Sequence, residues 1–287
     1  MSQLDRSKHT LSEMCRIAEA AGEEILAVYN GAADIEVEQK ADDSPLTLAD
    51  RRAHDLIERE LLALAPEIPV LSEESLQLPF TERQSWARYW LVDPLDGTKE
   101  FIGRNGEFTV NIALIDNGIA RLGVVHVPVT GITYSGINDD KATGAWKTED
   151  SGSVAITVAA MAGQKIRVVA SRRHRGERLE QMLANIDHVL GIDEVVSIGS
   201  SLKMCLVAEG AADIYPRLAP TSEWDTAAAH AILSAAGGEI VDLDFCPLRY
   251  NQKDSLLNPE FIAFGDRAYA WQPLLRWVPC ANKAKQN

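Results

Sequence analysis

The chain has 287 residues, 46% hydrophobic and 24% charged, enough for one large core or two packed halves. Its net charge of −14, from 42 acidic and 28 basic residues, argues against a nucleic-acid backbone as partner, because that binding rests on clustered Lys and Arg. No run approaches the roughly 18 apolar residues of a transmembrane segment, and the opening "MSQLDRSKHT" lacks the apolar stretch of a secretory signal, so a cytoplasmic protein is expected.

Thr10-x-x-Glu13 reads as a capping box that opens a helix running to about Tyr29, with an apolar stripe at Leu11, Met14, Ile17, Ala18, Ala21, Ile25 and Val28. Gly31 ends it. A second helix is predicted from about Leu48 to Leu64, stopped before Pro66. Two strands follow, "VLSEES" and "YWLV", each running into carboxylates. From Phe108 to Trp146 the pattern is β-structure. "FTVNIALI" and "IARLGVVHV" flank Asp116-Asn117-Gly118, a strong hairpin signal, and "ITYSGI" and "ATGAWK" continue as antiparallel strands.

A polar, Gly- and Ser-containing segment at about 147–153 follows, and then comes the second half. There, strands alternate with helices: "KIRVVAS", a helix at Glu177 to Ile186, "EVVSIG", a helix at Leu202 to Glu209, "ADIYPR", and an Ala-rich helix from Trp224 to Ala236 closed by Gly237-Gly238. The expected fold class is therefore an α+β N-terminal half, residues 1–165, and an α/β C-terminal half, residues 166–287, with a ligand cleft between them. Cys15, Cys205, Cys246 and Cys280 are far apart and form no C-x-x-C pair, so reduced thiols are expected.

The chemistry lies in the acidic residues. Asp50 in "SPLTLAD" and Asp225 in "EWDTAAAH" each fit a purely structural role, an acid in the first turn of a helix. Glu73 and Glu74 fit a solvated loop, and Asp93 and Asp96 of "DPLDGT" fit a turn after a strand. Taken together, Glu73 and Asp93 both close apolar β-type runs, and Asp96 and Gly97 carry the second run onward. Carboxylates that converge there need protons or cations. Oxygen donors without His or Cys favour Mg²⁺ over zinc, and a pair of such ions about 3.5–4 Å apart serves phosphoryl transfer. Thr98, hydrogen-bonded to a carboxylate such as Asp50, would orient a water, and the N–H groups of Gly97, Thr98 and Lys99 would hold phosphate oxygens. The chemistry inferred is metal-assisted phosphate-ester hydrolysis.

"WLVDPLDGTKEF" and "SEWDTAAAHAILSAAGG" resemble the two signatures of the inositol monophosphatase superfamily of lithium-sensitive, Mg²⁺-dependent phosphatases, and "KADDSPLTLAD" and "VLSEES" extend the likeness over nearly the whole chain. "GTKEF", "ASRRH", "GSSLKMCLVAEGAADIYPR" and "SEWDTAAAH" resemble the bacterial 3'(2'),5'-bisphosphate nucleotidases within it. The resemblance implies a layered αβαβα sugar-phosphatase-type fold with an antiparallel N-terminal sheet. It also implies hydrolysis of 3'-phosphoadenosine 5'-phosphate to AMP and phosphate in sulfur assimilation.

By the same resemblance Glu73, Asp93, Asp96, Asp225 and the Leu95 carbonyl would bind two or three Mg²⁺ ions, with Asp50 and Thr98 activating the nucleophilic water. Ser171, His174, Ser200, Lys203 and Arg217 match nucleotide-binding positions, joined at the phosphate by Gly97, Thr98 and Asp225. Read without the resemblance, Lys203 and Arg217 fit solvated surface cations and "SRRHR" a basic loop. An acidic chain that takes a substrate with two phosphates nevertheless needs such a pocket.

The nearest rival is an inositol- or sugar-phosphate phosphatase on the same scaffold. A catalytically silent nucleotide sensor is a rival of another class, disfavoured because Asp50, Thr98 and every acidic position are present. Some members of the subgroup are peripheral to the cytoplasmic face of the inner membrane, but this sequence shows no amphipathic anchor or lipidation site. Monomer and homodimer both fit.

Overall fold

The computed structural model describes residues 3–31, 37–39, 45–75, 78–140, 142–163, 165–171 and 176–275. The first helix, α1 (Gln3–Tyr29), starts well upstream of Thr10. Thr10-x-x-Glu13 therefore lies inside a helix already under way, where no orphan N–H groups remain for it to cap. The predicted stripe is the buried face, with Leu11, Met14, Ile17, Ala18, Ala21 and Ile25 all in the core. A two-stranded antiparallel ribbon, β1 (Val37–Gln39) and β2 (Pro45–Thr47), leads into α2 (Leu48–Leu64), whose N-terminus Thr47 and Asp50 do cap.

The next elements are β3 (Val70–Ser72), α3 (Phe80–Arg83), β4 (Arg88–Asp96), α4 (Thr98–Ile102), β5 (Thr109–Asp116), β6 (Ile119–Val127), β7 (Ile132–Asp139), β8 (Ala142–Glu149) and β9 (Gly152–Ile156). Their strands form one seven-stranded sheet in sequence order. All pairs are antiparallel except β3 with β4, which run parallel at one edge. The β5–β6 hairpin turns at Asn117 and Gly118, both in the left-handed region, as a type I′ turn requires. The polar segment at 147–153 takes in the end of β8, the turn at 150–151 and the start of β9, and so forms a last hairpin. Its edge strand β9 is largely exposed and so carries no apolar alternation to read.

The second sheet is built from β10 (Ile166–Ser171), β11 (Ile192–Ile198), β12 (Ile214–Arg217), β13 (Glu239–Asp242) and β14 (Phe261–Phe264) in the order β11-β10-β12-β14-β13. Between them come α5 (Glu177–Leu190), α6 (Leu202–Ala208) and α7 (Glu223–Ala236), and α8 (Trp271–Leu275) follows β14. β10 pairs in parallel with β11 and β12, as strand–helix alternation predicts, whereas β14 joins β12 and β13 antiparallel. The molecule is thus a mixed α/β fold with an N-terminal and a C-terminal sheet.

Strand alternation divides the core. Trp90 and Val92 face α1 and α2 together with Val110, Ile112 and Val124. Tyr89 and Leu91 face the other way, onto α6 and α7. The far side of the second sheet packs Val168, Ile214 and Ile262 against Leu179, Met182 and Ile186 of α5 and Trp271 of α8. The Ala-rich composition of α7 follows from its seat. It lies across Gly123 and Gly136, which pair directly between β6 and β7. A Cβ on Gly136 would come within 2.7 Å of the Ile232 Cα, and one on Gly123 would collide with the Ala228 carbonyl. Only small residues allow so close an approach, and this approach carries the N-terminus of α7 to the end of β4.

Candidate active site

Parallel pairing sends the C-terminal ends of β3 and β4 to the same sheet edge. Ser72 pairs with Val92, and the Glu73 N–H donates to the Val92 carbonyl at 3.1 Å, so Glu73 sits beside Asp93. Asp93 and Asp96, three apart, would face opposite sides of a regular strand. A β-bulge prevents that. Asp93 pairs with Asn111 and Asp96 with Thr109, so three steps on β4 match two on β5. Pro94, which has no N–H to give the ladder, falls within the bulge. Both aspartates consequently face one side, and the chain turns at Gly97 (φ 94°) into the short helix α4.

The third element is the N-terminus of α7, where the Asp225 carboxylate accepts from the Ser222 N–H at 2.8 Å. Glu73, Asp93 and Asp225 each offer a carboxylate oxygen, all within 4.8 Å of one another. Asp93 is pushed well above the ordinary aspartate value by burial and by the charges of Glu73, Asp96 and Asp225, against which the Leu95 N–H offers partial relief. Asp225 is raised as well, by burial and then by Asp96 and Glu73. Such a cluster requires protons or a cation. Hard oxygen donors without His or Cys fit Mg²⁺.

Asp50 and Thr98 meet beside the cluster. Thr47 donates both its N–H (2.7 Å) and its hydroxyl (2.6 Å) to Asp50 Oδ2, which leaves Oδ1 facing Thr98 Oγ1 at 3.4 Å. The Thr98 hydroxyl also lies 3.3 Å from the Leu95 carbonyl. Asp50 is therefore both the structural cap expected of it and a partner of the cleft hydroxyl.

The family model described as "Inositol monophosphatase family" matches residues 7–272. The chain belongs to the inositol monophosphatase family. Within it, the chain falls in the CysQ subgroup. The 3'(2'),5'-bisphosphate nucleotidase CysQ of Escherichia coli strain K12 is 49% identical over 251 residues, 88% of this chain and 98% of that protein. Its counterpart in Haemophilus influenzae is 36% identical over 275 residues, covering 96% and 99%. The crystal structure of CysQ from Bacteroides thetaiotaomicron superposes with a TM-score of 0.77 at 43% identity, covering 89% of this chain and 97% of that one. SuhB from Bartonella henselae, at 23% identity, shares the fold with a TM-score of 0.76.

In this family member the carboxylates open onto a cleft of about 350 Å³, lined also by Leu95, Asp96, Gly97, Thr98, Ser171, Ser200, Lys203 and Arg217. Lys203 is buried, and its Nζ donates to the Ser200 carbonyl at 2.6 Å and the Ile198 carbonyl at 3.2 Å. Burial pulls its pKa down to about 8, with the nearby Arg217 acting in the same direction and Asp96 opposing. Arg217 donates to the carbonyls of Ala219 and Pro220 at 3.0 and 3.1 Å. Both cations are thus braced by backbone rather than free on the surface. His174, with Arg172, Arg173 and Arg175, lies outside the described residues, as do Cys280 and the segment 276–287.

Sequence reasoning missed Ser201 and Asn111. The Ser201 hydroxyl lies 2.7 Å from Asp96 Oδ2, and Asn111 Nδ2 lies 3.4 Å from the same oxygen. A lone Asn inside the apolar strand "FTVNIALI" was the available signal, since a buried amide must find partners. Among the described residues no helix is long and apolar enough to cross a membrane.

Proposed function

We propose that the protein hydrolyses the 3'-phosphate of 3'-phosphoadenosine 5'-phosphate to give AMP and phosphate, with Mg²⁺ held at the carboxylate cluster. One observation carries this reading: three mutually close carboxylates open onto a cleft that also holds Lys203 and Arg217. Such a cleft suits a substrate with one phosphate at the metal and another anionic group at the cations. The similarity to proteins named as bisphosphate nucleotidases selects the nucleotide.

Glu73, Asp93, Asp96, Asp225 and the Leu95 carbonyl would hold two or three ions. A divalent cation there supplies positive charge against the phosphoryl oxygens and makes an adjacent water more acidic. Thr98 Oγ1 takes the proton of the attacking water as it passes its own to Asp50 Oδ1, and Thr47 keeps Asp50 oriented through the other oxygen. N–H groups at the start of α4 orient the phosphate. Lys203, Arg217, Ser171, Ser200 and His174 contact the nucleotide and its second phosphate.

We also read the fold as five layers: α1 and α2, the larger sheet, α6 and α7, the smaller sheet, then α5 and α8. The three separate cores support that order. The halves 1–165 and 166–287 would divide between β9 and β10.

The test is phosphate release with Mg²⁺ from 3'-phosphoadenosine 5'-phosphate and from inositol 1-phosphate. The nucleotide should be preferred by about 10⁴-fold or more in kcat/KM, the range seen when a site built for polar contacts is offered a substrate that lacks them. A preference for the inositol ester would assign the protein to the sugar-phosphate branch instead.

A further inference from the structure

We propose that Ser201 is a positioning residue that fixes the Asp96 carboxylate from the opposite half of the chain; the inference rests on Asp96 being a metal ligand. Ser201 is buried at the head of α6, and its Oγ lies 2.7 Å from Asp96 Oδ2, 2.6 Å from the Asp225 carbonyl and 2.9 Å from Asn111 Nδ2. A hydroxyl has one proton, so it cannot donate to both oxygens. The neighbours decide which receives it. Asn111 also lies 3.4 Å from Asp96 Oδ2, a carboxylate oxygen that only accepts, so the amide turns its Nδ2 to that side and its Oδ1 accepts from the Thr109 hydroxyl at 2.9 Å. Asn111 Nδ2 only donates, so Ser201 Oγ accepts from it. The Asp225 carbonyl lies within α7, where the regular helical bond supplies a donor four residues on. The Ser201 proton therefore goes to Asp96, where the bond is charge-assisted.

The result is a one-way chain, Thr109 to Asn111 to Ser201 to Asp96, of which the first three members are fully buried. It occupies Asp96 Oδ2 and leaves Oδ1 for the cleft. It also joins the loop before α6 to the metal carboxylates. Ser200, in the same loop, holds the left-handed region at φ 47°, and Glu107 accepts from the Gly199 N–H at 2.8 Å. Residues that orient metal ligands from behind typically change metal affinity by about 10–100-fold.

The test is Mn²⁺ and Mg²⁺ binding to the nucleotide-free protein by isothermal titration calorimetry, with KM for the nucleotide measured at saturating Mg²⁺. Ser201→Ala should weaken cation binding by about 10–100-fold and leave KM nearly unchanged. Ser201→Thr and Ser201→Val occupy the same volume and differ by the hydroxyl, so the pair decides the question even if Ser201→Ala folds poorly. Thr should approach wild-type cation affinity and Val should not. Equal affinity in that pair, or wild-type affinity in Ser201→Ala, overturns the proposal. Asp96→Asn separates the two layers of inference: if it too leaves cation affinity intact, the metal reading is what fails.

Discussion

Asp93→Asn should make the metal-free protein more stable while removing most of its response to Mg²⁺. In the metal-free fold Asp93 and Asp225 are held above the ordinary aspartate value of 3.8. The folded protein therefore keeps protons that the unfolded chain has released, and its stability falls as pH rises above that value. The size follows from the geometry. Two charges at the cluster's 4.8 Å limit repel by about 3.5 kcal/mol at an effective dielectric constant of about 20. Asp93 faces two such neighbours, and partial protonation relieves some of that repulsion. Asparagine keeps an oxygen for the Leu95 N–H and carries no charge. A gain of about 2–4 kcal/mol is expected near pH 8, where repulsion is greatest, read as roughly 2–4 °C in Tm per kcal/mol. Differential scanning fluorimetry in EDTA between about pH 5 and pH 8 measures it, and the gain should shrink toward the acid end. Mg²⁺ should stabilise the wild type by about 2.7 kcal/mol at a hundredfold excess over Kd, read as a rise in Tm, and the variant should lose most of that rise. A variant less stable than wild type in EDTA, or one stabilised equally by Mg²⁺, would refute the reasoning.

Thr98→Val removes the hydroxyl that faces Asp50 and should lower kcat by about 10²–10⁴-fold with calorimetric cation affinity unchanged. A matching loss of cation affinity would make Thr98 a support of the metal site instead. Lys203, with its pKa drawn down to about 8, loses its charge as pH rises through that value. The kcat/KM for the nucleotide should fall over that range, and Lys203→Arg should hold it level to higher pH. Superimposable profiles for the two proteins would contradict a charge role.

The larger part of this architecture was legible because it rests on local signals. The stripe of α1, the cap of α2 and the Asn117-Gly118 turn each reflect rules that act within a few residues. Failures came where pairing was non-local. β13 and β14 are four-residue strands added antiparallel to a parallel core, and no short-range pattern announces such an addition. The start of α1 was misplaced because a capping motif cannot report that a helix is already running. For the site, strand ends suggested that Glu73 and Asp93 would meet, and the parallel register brings them together. That Asp93 and Asp96 share a face depends on a bulge defined only by pairing with β5. Ser201 went unrecognised because its partners lie 105 and 90 residues away.

The central claim is that the 3'-phosphate, and not the 5'-phosphate, lies at the carboxylates. The direct measurement is the identity of the nucleoside monophosphate formed from 3'-phosphoadenosine 5'-phosphate, resolved by chromatography or ³¹P NMR, with Mg²⁺ and again with the metal chelated. The account predicts adenosine 5'-phosphate and inorganic phosphate in equal amounts with Mg²⁺, and no turnover without it. Adenosine 3'-phosphate as product, or undiminished turnover after chelation, would contradict it.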